Sequence, residues 1–222
     1  LIVPSGEPTL FELFCCFRLI RILNRFTPGF SLKPIDGESS ALACLESDHT
    51  RIEIHHDSVG NLGFHEPLDT TRRPEHAQYE RYHDALIDYS TTLESLTGDP
   101  HDPVLYSGRP DIIIEIYDTT SNEELVSVLL GEVKYTSRTQ TFQQGLEELL
   151  TYRQFGKYDE YLIDDPDVHL TNLLITNGVT TPGSSDEVTH LNGADLIDSP
   201  AQPSTQPNWI QSLLQQGQLT AN

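Results

Sequence analysis

Three side chains in the middle of this chain have the types and spacing for metal-assisted chemistry on a phosphate. Asp111 opens a β-branched run, Ile112-Ile113-Ile114-Glu115-Ile116, directly after Gly108-Arg109-Pro110. Glu132 and Lys134 follow 21 and 23 residues later, near the end of a second apolar run. One residue apart on a strand, they point to the same face. If the two runs pair as an antiparallel hairpin, Asp111 and Glu132 meet at one end of a sheet. Two carboxylates offer hard oxygen ligands to Mg²⁺, which keeps several waters in an octahedral shell, or alternatively to Mn²⁺. The lysine beside them can position or deprotonate a water and stabilise charge developing on a phosphate. Plainer readings stand next to this one: Asp111 as punctuation at a strand edge, and Glu132 with Lys134 as a local or cross-strand ion pair.

The elements that must position these residues are legible in part. Thr9 to Phe26 has apolar residues at helical spacing (Leu10, Leu13, Phe14, Phe17, Ile20, Leu23), closed by Thr27-Pro28-Gly29. Thr9 followed by Glu12 has the spacing of a capping box. Arg51 to Val59 alternates as a strand and ends at Gly60-Asn61. Residues 66 to 103 are polar, interrupted by proline and rich in His and Tyr, with a helix expected from about Pro74 to Leu96. Pro110 to Ile116 is a buried strand, 118–123 a hairpin-like turn, and Leu125 to Tyr135 a second strand. Thr141 to Phe155 is a helix carrying Phe142, Leu146, Leu149 and Leu150. Val168 to Thr176 is another buried strand, ended by Asn177-Gly178. From Thr181 to Pro207 the composition shifts to Pro, Ser, Gln and Asp, which predicts a linker or tail. Trp209 to Gln218 then forms a short closing helix. The expected organisation is one domain over 1–180 and a polar tail over 181–222. Its fold class is α/β, a mixed β-sheet with helices on its faces.

Composition narrows the function classes. The chain has 222 residues, 36% of them apolar, enough to bury a core. No apolar run approaches the ~18 residues of a spanning helix, so no membrane role is expected. The stretch Leu1 to Pro8 has no cationic start, and three cysteines, two of them adjacent, make no disulfide framework. A cytoplasmic protein is therefore expected. There is no Met and the first residue is Leu1, which suggests a fragment or a start lying upstream. Asp and Glu number 34 against 13 Lys and Arg, a net charge of −21, and lysine occurs only at Lys33, Lys134 and Lys157. Such an acid excess with so little lysine resembles the proteome of a salt-loving archaeon, where dense salt screens the carboxylates. Net charge then reports the solvent and does not argue against a nucleic-acid partner.

Arg109-Pro110-Asp111 followed by Gly131-Glu132-Val133-Lys134 resembles the PD-(D/E)XK nuclease superfamily, whose core is the restriction-endonuclease-like fold. Its motif is an Asp opening one core strand and Glu-x-Lys in the next. The resemblance covers roughly residues 9 to 176 and matches least over 60–110. It implies Asp111 and Glu132 as metal ligands, assisted by the main-chain carbonyl of Val133, and Lys134 as the catalytic lysine. Many members add a Glu from the first core helix, which would be Glu12. Thr9-Leu10-Phe11-Glu12-Leu13-Phe14 is similar to the nuclease subunit of modified-cytosine restriction systems. RecB-type members carry Gln-x-x-x-Tyr on the following helix. Here Gln144, Glu148 and Tyr152 form one stripe, with Glu in the place of the expected Gln, so Gln144 would act from one turn earlier. The simpler roles are a capping-box residue for Glu12 and a core aromatic for Tyr152.

The resemblance implies a Mg²⁺-dependent deoxyribonuclease acting on DNA in restriction or repair, with a larger complex as its setting. The alternative it leaves is a non-catalytic DNA-binding or structural module of a defence complex. Cations at Arg18, Arg21, Arg25, Arg72, Arg73, Arg138, Arg153 and Lys157 are the natural phosphate contacts, or simply solvated faces. Other chemistries find little support. His55 and His56 are adjacent and point apart on a strand, and the remaining histidines lack zinc-ligand spacing. Cys15, Cys16 and Cys44 read as core. Neither a phosphate-binding glycine loop nor a nucleophile elbow is present.

Overall fold

The computed structural model describes residues 6–33, 40–72, 74, 76–120, 122–181, 185–197 and 208–214. Its elements are α1 (Glu7–Phe26), β1 (Ser31–Lys33), β2 (Ala43–Glu46), β3 (Thr50–His56), β4 (His65–Pro67), α2 (Ala77–Thr97) and β5 (Val104–Ser107). They continue with β6 (Ile112–Asp118), β7 (Glu124–Lys134), α3 (Thr139–Phe155), β8 (His169–Thr176), β9 (Thr189–Asn192), α4 (Gly193–Ile197) and α5 (Asn208–Leu214). Seven strands form one mixed sheet in the order β1-β2-β3-β6-β7-β8-β9. The five strands from β1 to β7 pair antiparallel, and β7-β8-β9 pair parallel. β4 and β5 make a separate two-stranded ribbon. This is the expected α/β class, a mixed sheet flanked by helices.

Strand periodicity explains the layers. In β6, Ile112, Ile114 and Ile116 face one core with Ile52, Ile54, Leu129 and Val133 of the neighbouring strands. Cys15, Cys16, Leu19 and Leu23 of α1 and Trp209, Ile210 and Leu213 of α5 cover that face. Ile113 and Tyr117 face the opposite core with Val128, Leu130 and Leu174, covered by Leu149 and Tyr152 of α3. Covered on both faces, β6 and β7 read as continuous apolar runs, the pattern of central strands.

Several expectations change. α1 starts at Glu7 behind Gly6, with proline in its first turn, and no side chain caps it. Thr9 is therefore inside the helix, and the capping-box role of Glu12 falls away. β3 stops at His56 because Asp57 turns the chain with φ 53°. The polar stretch 181–207 is not simply a tail: Thr189–Asn192 extends the sheet beside β8 and α4 follows it. The boundary placed at 180 thus cuts through the sheet. Period reasoning missed β9 because its four residues are all only half-buried. The closing helix is seen over Asn208–Leu214; the remainder of the expected span lies outside the described residues. Among the described residues no helix is long and apolar enough to cross a membrane.

Candidate functional site

The hairpin between β6 and β7 sets the site. Ile112 pairs with Gly131, so the next position outward brings Asp111 beside Glu132. Asp111 Oδ2 accepts a hydrogen bond from the Val133 backbone N–H at 2.8 Å. That bond crosses the end of the hairpin and fixes the carboxylate. Glu132 is 1% exposed, and its Oε2 has no hydrogen-bond partner. An unpaired carboxylate oxygen at that depth costs about 1–3 kcal/mol. Burial, and then the neighbouring Asp111, push the Glu132 carboxyl well above the usual carboxylate range. Asp111 is likewise raised, by its own burial. The two acids together favour holding a proton, or exchanging it for a cation.

Lys134 closes the other side. Its Nζ lies 2.5 Å from Glu132 Oε1 and 2.7 Å from Glu148 Oε2. Those two carboxylates outweigh its partial burial and hold it firmly as an ammonium. Glu148 stands on α3, and Gln144 Nε2 donates to its Oε1 at 2.9 Å. Gln144 is therefore exposed and one step removed from the lysine, while Glu148 touches it. α3 can come this close because residue 145 is glycine: a Cβ there would sit 2.8 Å from Lys134 Cγ.

Tyr152 is buried, with its ring edge-on to Phe64 and tilted against Tyr106. Burial, then the charge of Glu132, raises its hydroxyl pKa, so it lies beneath the acidic group as part of the wall. Tyr106, which sequence reasoning did not single out, belongs to the same wall. Its buried hydroxyl has no partner, and burial with Glu132 and Glu148 nearby pushes it up to about 12.

Glu12 comes to the site from α1. Its carboxyl is raised by burial and by the charges of Asp111 and Asp57, and lowered by Lys134, which puts it in electrostatic contact with the hairpin end. His56 Nε2 lies 3.8 Å from Glu12 Oε2. Asp57 stands next to both, its N–H donating to the Asp111 carbonyl at 3.1 Å. Arg109 grips Asp57 from the other side, pairing with its carboxylate and donating to its carbonyl at 3.1 Å. Asp111, Glu132 and Lys134 thus meet at one end of the hairpin, as strand spacing predicts, and Glu12, implied by the resemblance alone, faces them from α1. His56 and Asp57 join them unforeseen, and Glu148, read only as standing in the place of a glutamine, reaches Lys134 itself.

A second charged cluster lies further along the same strands. His55 Nε2 is 3.4 Å from Glu115 Oε2 and 3.6 Å from Glu53 Oε2, and these ligand-type atoms could hold a metal ion. The oxygens are already engaged, however. Glu115 accepts from the Asn61 N–H at 2.9 Å, from Asn61 Nδ2 at 2.9 Å and from the Tyr117 hydroxyl at 2.6 Å. Despite burial, the two carboxylates push His55 up to about 9, so it is an imidazolium. The cluster is an internal ion-pair network that ties residues 57–61 to the sheet, and so fixes the turn at Asp57. Gly60 allows the loop to lie flat, since a Cβ would fall 2.4 Å from Glu115 Oε1.

The expected phosphate contacts fare unevenly. Arg18 donates through Nε to the Leu196 carbonyl at 2.6 Å and through Nη2 to that of Ile197 at 2.9 Å, a structural clasp on α4. Arg153 pairs with Glu187 at 3.3 Å and Lys157 with Glu66. Arg72 is exposed beside Asp69, and Arg73 lies outside the described residues. Arg138 is exposed in a groove lined by Tyr135, Thr136, Ser137, Thr141 and Asn177, residues of the segment that follows Lys134 and of the end of β8. Set against known proteins, the chain matches no family model, no curated sequence and no solved structure.

Proposed function

We propose that this protein is a divalent-metal-dependent nuclease that hydrolyses phosphodiester bonds in DNA, a member of the PD-(D/E)XK superfamily. The observation that carries the reading is the orphaned, buried Oε2 of Glu132 beside Asp111, with an ammonium two residues along the same strand. A buried polar atom without a partner fits a missing ligand, and two hard oxygen donors fit Mg²⁺ or Mn²⁺. Asp111 and Glu132 would hold the ion, with Glu12 reaching in from α1. Such an ion supplies positive charge against the phosphoryl oxygens and the leaving oxygen.

The chain's own residues do the rest. Val133 N–H holds Asp111 in one rotamer, so the acidic pair is preorganised. Lys134 is an ammonium between Glu132 and Glu148; it donates hydrogen bonds and charge rather than accepting a proton. In this position it can orient an attacking water or stabilise the charge that builds on the phosphate. Of the two roles sequence allows for Lys134, orientation is therefore the better supported. Glu148, steadied by Gln144, keeps the ammonium aimed at the site. Tyr106 and Tyr152 wall off water on the α3 side. The groove carrying Arg138 and the hydroxyls of Thr136, Ser137 and Thr141 offers donors to a phosphate backbone running past Lys134.

The test is incubation of the purified protein, in molar KCl, with plasmid and with linear DNA plus Mg²⁺ or Mn²⁺, beside a Lys134→Ala protein. Metal-dependent cleavage that disappears in the variant supports the reading. Failure to bind Mn²⁺ in a calorimeter would sink the site assignment. Metal and DNA binding without cleavage favours a binding module of a larger restriction or repair complex.

A further inference from the structure

Helix α2 carries a pattern that the site does not use. It packs on its own chain through His83 and Ser90, which are buried and bond the carbonyls of Asp69 and His101. Beside that face runs a second stripe, Tyr79, Tyr82, Leu86, Tyr89, Leu93 and Leu96, spaced by three, four, three, four and three residues. A 3.5-residue apolar period is the seam of two supercoiled helices, with Tyr79, Leu86 and Leu93 at a positions and Tyr82, Tyr89 and Leu96 at d. The seam stands largely in solvent: Tyr79 is 56%, Tyr82 54%, Tyr89 61% and Leu96 80% exposed.

Charge placement singles out the occupant. Glu80, Arg81, Asp84, Asp88 and Glu94 all fall on b, c and f positions, away from the seam. Flanking its open edge at g are Gln78, Ala85 and Thr92. A seam free of acid lets two copies of a chain with net charge −21 meet with their carboxylates held at the flanks, where dense salt screens them. A foreign helix is ordinarily selected by e and g charges, which are missing here. The stripe also complements itself. Laid antiparallel, Tyr79 meets the partner's Leu96, Tyr82 the partner's Leu93, and Leu86 the partner's Tyr89. Every a position then faces a d position, and every layer sets a tyrosine against a leucine. A parallel pairing would stack tyrosine on tyrosine in three layers, at Tyr79, Tyr82 and Tyr89.

We propose that α2 pairs antiparallel with α2 of a second copy of this chain, forming an isologous two-fold dimer. The 21-residue helix is about 30 Å long, so the contact buries on the order of 1,000–1,200 Å² in total, the lower end for a specific complex. Micromolar dissociation is expected. The test is sedimentation equilibrium of the full chain at about 100 µM in molar KCl, well above a micromolar constant. Wild type should show twice the 24.9 kDa chain mass. A Tyr89→Glu, Leu96→Glu double variant, confirmed folded by circular dichroism, should show the single mass. In a Cys44→Ser background, oxidised Tyr79→Cys, Leu96→Cys protein should cross-link between chains and Tyr82→Cys alone should not. A monomeric wild type, a dimer indifferent to the double variant, or cross-linking through Tyr82→Cys alone would each overturn the proposal.

Discussion

Gly145→Ala separates the position of Lys134 from the stability of the fold. Gly145 sits mid-helix in α3, where alanine is favoured over glycine by about 1 kcal/mol. The added methyl would lie 2.8 Å from Lys134 Cγ, 3.1 Å from its Cε and 3.3 Å from Leu174 Cδ1. Ordinary carbon contacts begin near 3.4 Å, so the lysine stem must retreat by about 0.6 Å. That movement lengthens the ion pairs to Glu132 and Glu148, now 2.5 and 2.7 Å. Weakening the Glu148 pair, whose two side chains remain partly in water, costs on the order of 1 kcal/mol. The two terms nearly cancel, and Tm should stay within about 4 °C of wild type. Cleavage is another matter: a misplacement approaching 1 Å in the reacting constellation costs about 100-fold. The assay pairs a thermal melt with DNA-cleavage kcat/KM in Mg²⁺ and with Mn²⁺ calorimetry. Melting and Mn²⁺ affinity should hold while kcat/KM falls at least tenfold. Wild-type cleavage by the folded variant would refute the placing of Lys134 in the reaction.

Three further outcomes follow from the same physics. Because burial and Asp111 raise Glu132, Mn²⁺ must expel a proton on entering, so calorimetry at pH 7 in buffers of different ionisation heat should find about one proton released; none released would contradict a shared site. His55 is raised from 6.5 to about 9, so its network stabilises the fold fully below pH 6.5 and loses that contribution as pH rises through 9. The urea stability gap between wild type and His55→Asn should therefore be largest near pH 6, up to about 3 kcal/mol, and shrink towards pH 9.5; a gap independent of pH would show that the imidazolium is not what the carboxylates hold. Trp209, the single tryptophan, is 4% exposed in the α1–α5 core, so its emission should be blue-shifted in the native state, and Trp209→Ala should cost about 3–5 kcal/mol in urea unfolding. Red-shifted native emission would place α5 off the sheet.

Legibility followed burial. β6, β7 and β8 are covered on both faces, so each carries a dense apolar stretch, and the expected spans fall within two residues of the observed ones. α1 and α3 were legible for the same reason, each burying one stripe against a different core. The missed strands β1, β4 and β5 have three or four residues and little buried surface, which leaves no periodic signal, and β2, also missed, alternates but over only four residues. β9 was hidden by its setting among Pro, Ser and Asp, although parallel pairing with β8 needs only its backbone. Gly6 rather than Thr9 starts α1 because proline at the helix start presets the first turn. Glu12 then has no cap to serve and is left facing the hairpin end.

The site divides in the same way. Asp111, Glu132 and Lys134 could be read because strand alternation and a hairpin register fix where three residues meet. Asp57, His56 and Tyr106 could not, since they arrive through a positive-φ turn, a neighbouring strand end and a separate ribbon. Glu148 is the instructive case. By spacing it stood where glutamine was expected, and Gln144 was the nearest substitute. On the helix, four residues apart, the two are bonded to each other, and it is the carboxylate that reaches Lys134. Glutamine at 148 would hold the lysine by a neutral hydrogen bond. Glutamate adds a full charge and fixes Lys134 as an ammonium. In dense salt an exposed pair is screened, but this one has Glu132 buried on its other side, so much of the attraction survives. Exchanging a neutral contact for an ionic one is thus a physical way to keep one scarce lysine aimed in a chain crowded with competing carboxylates.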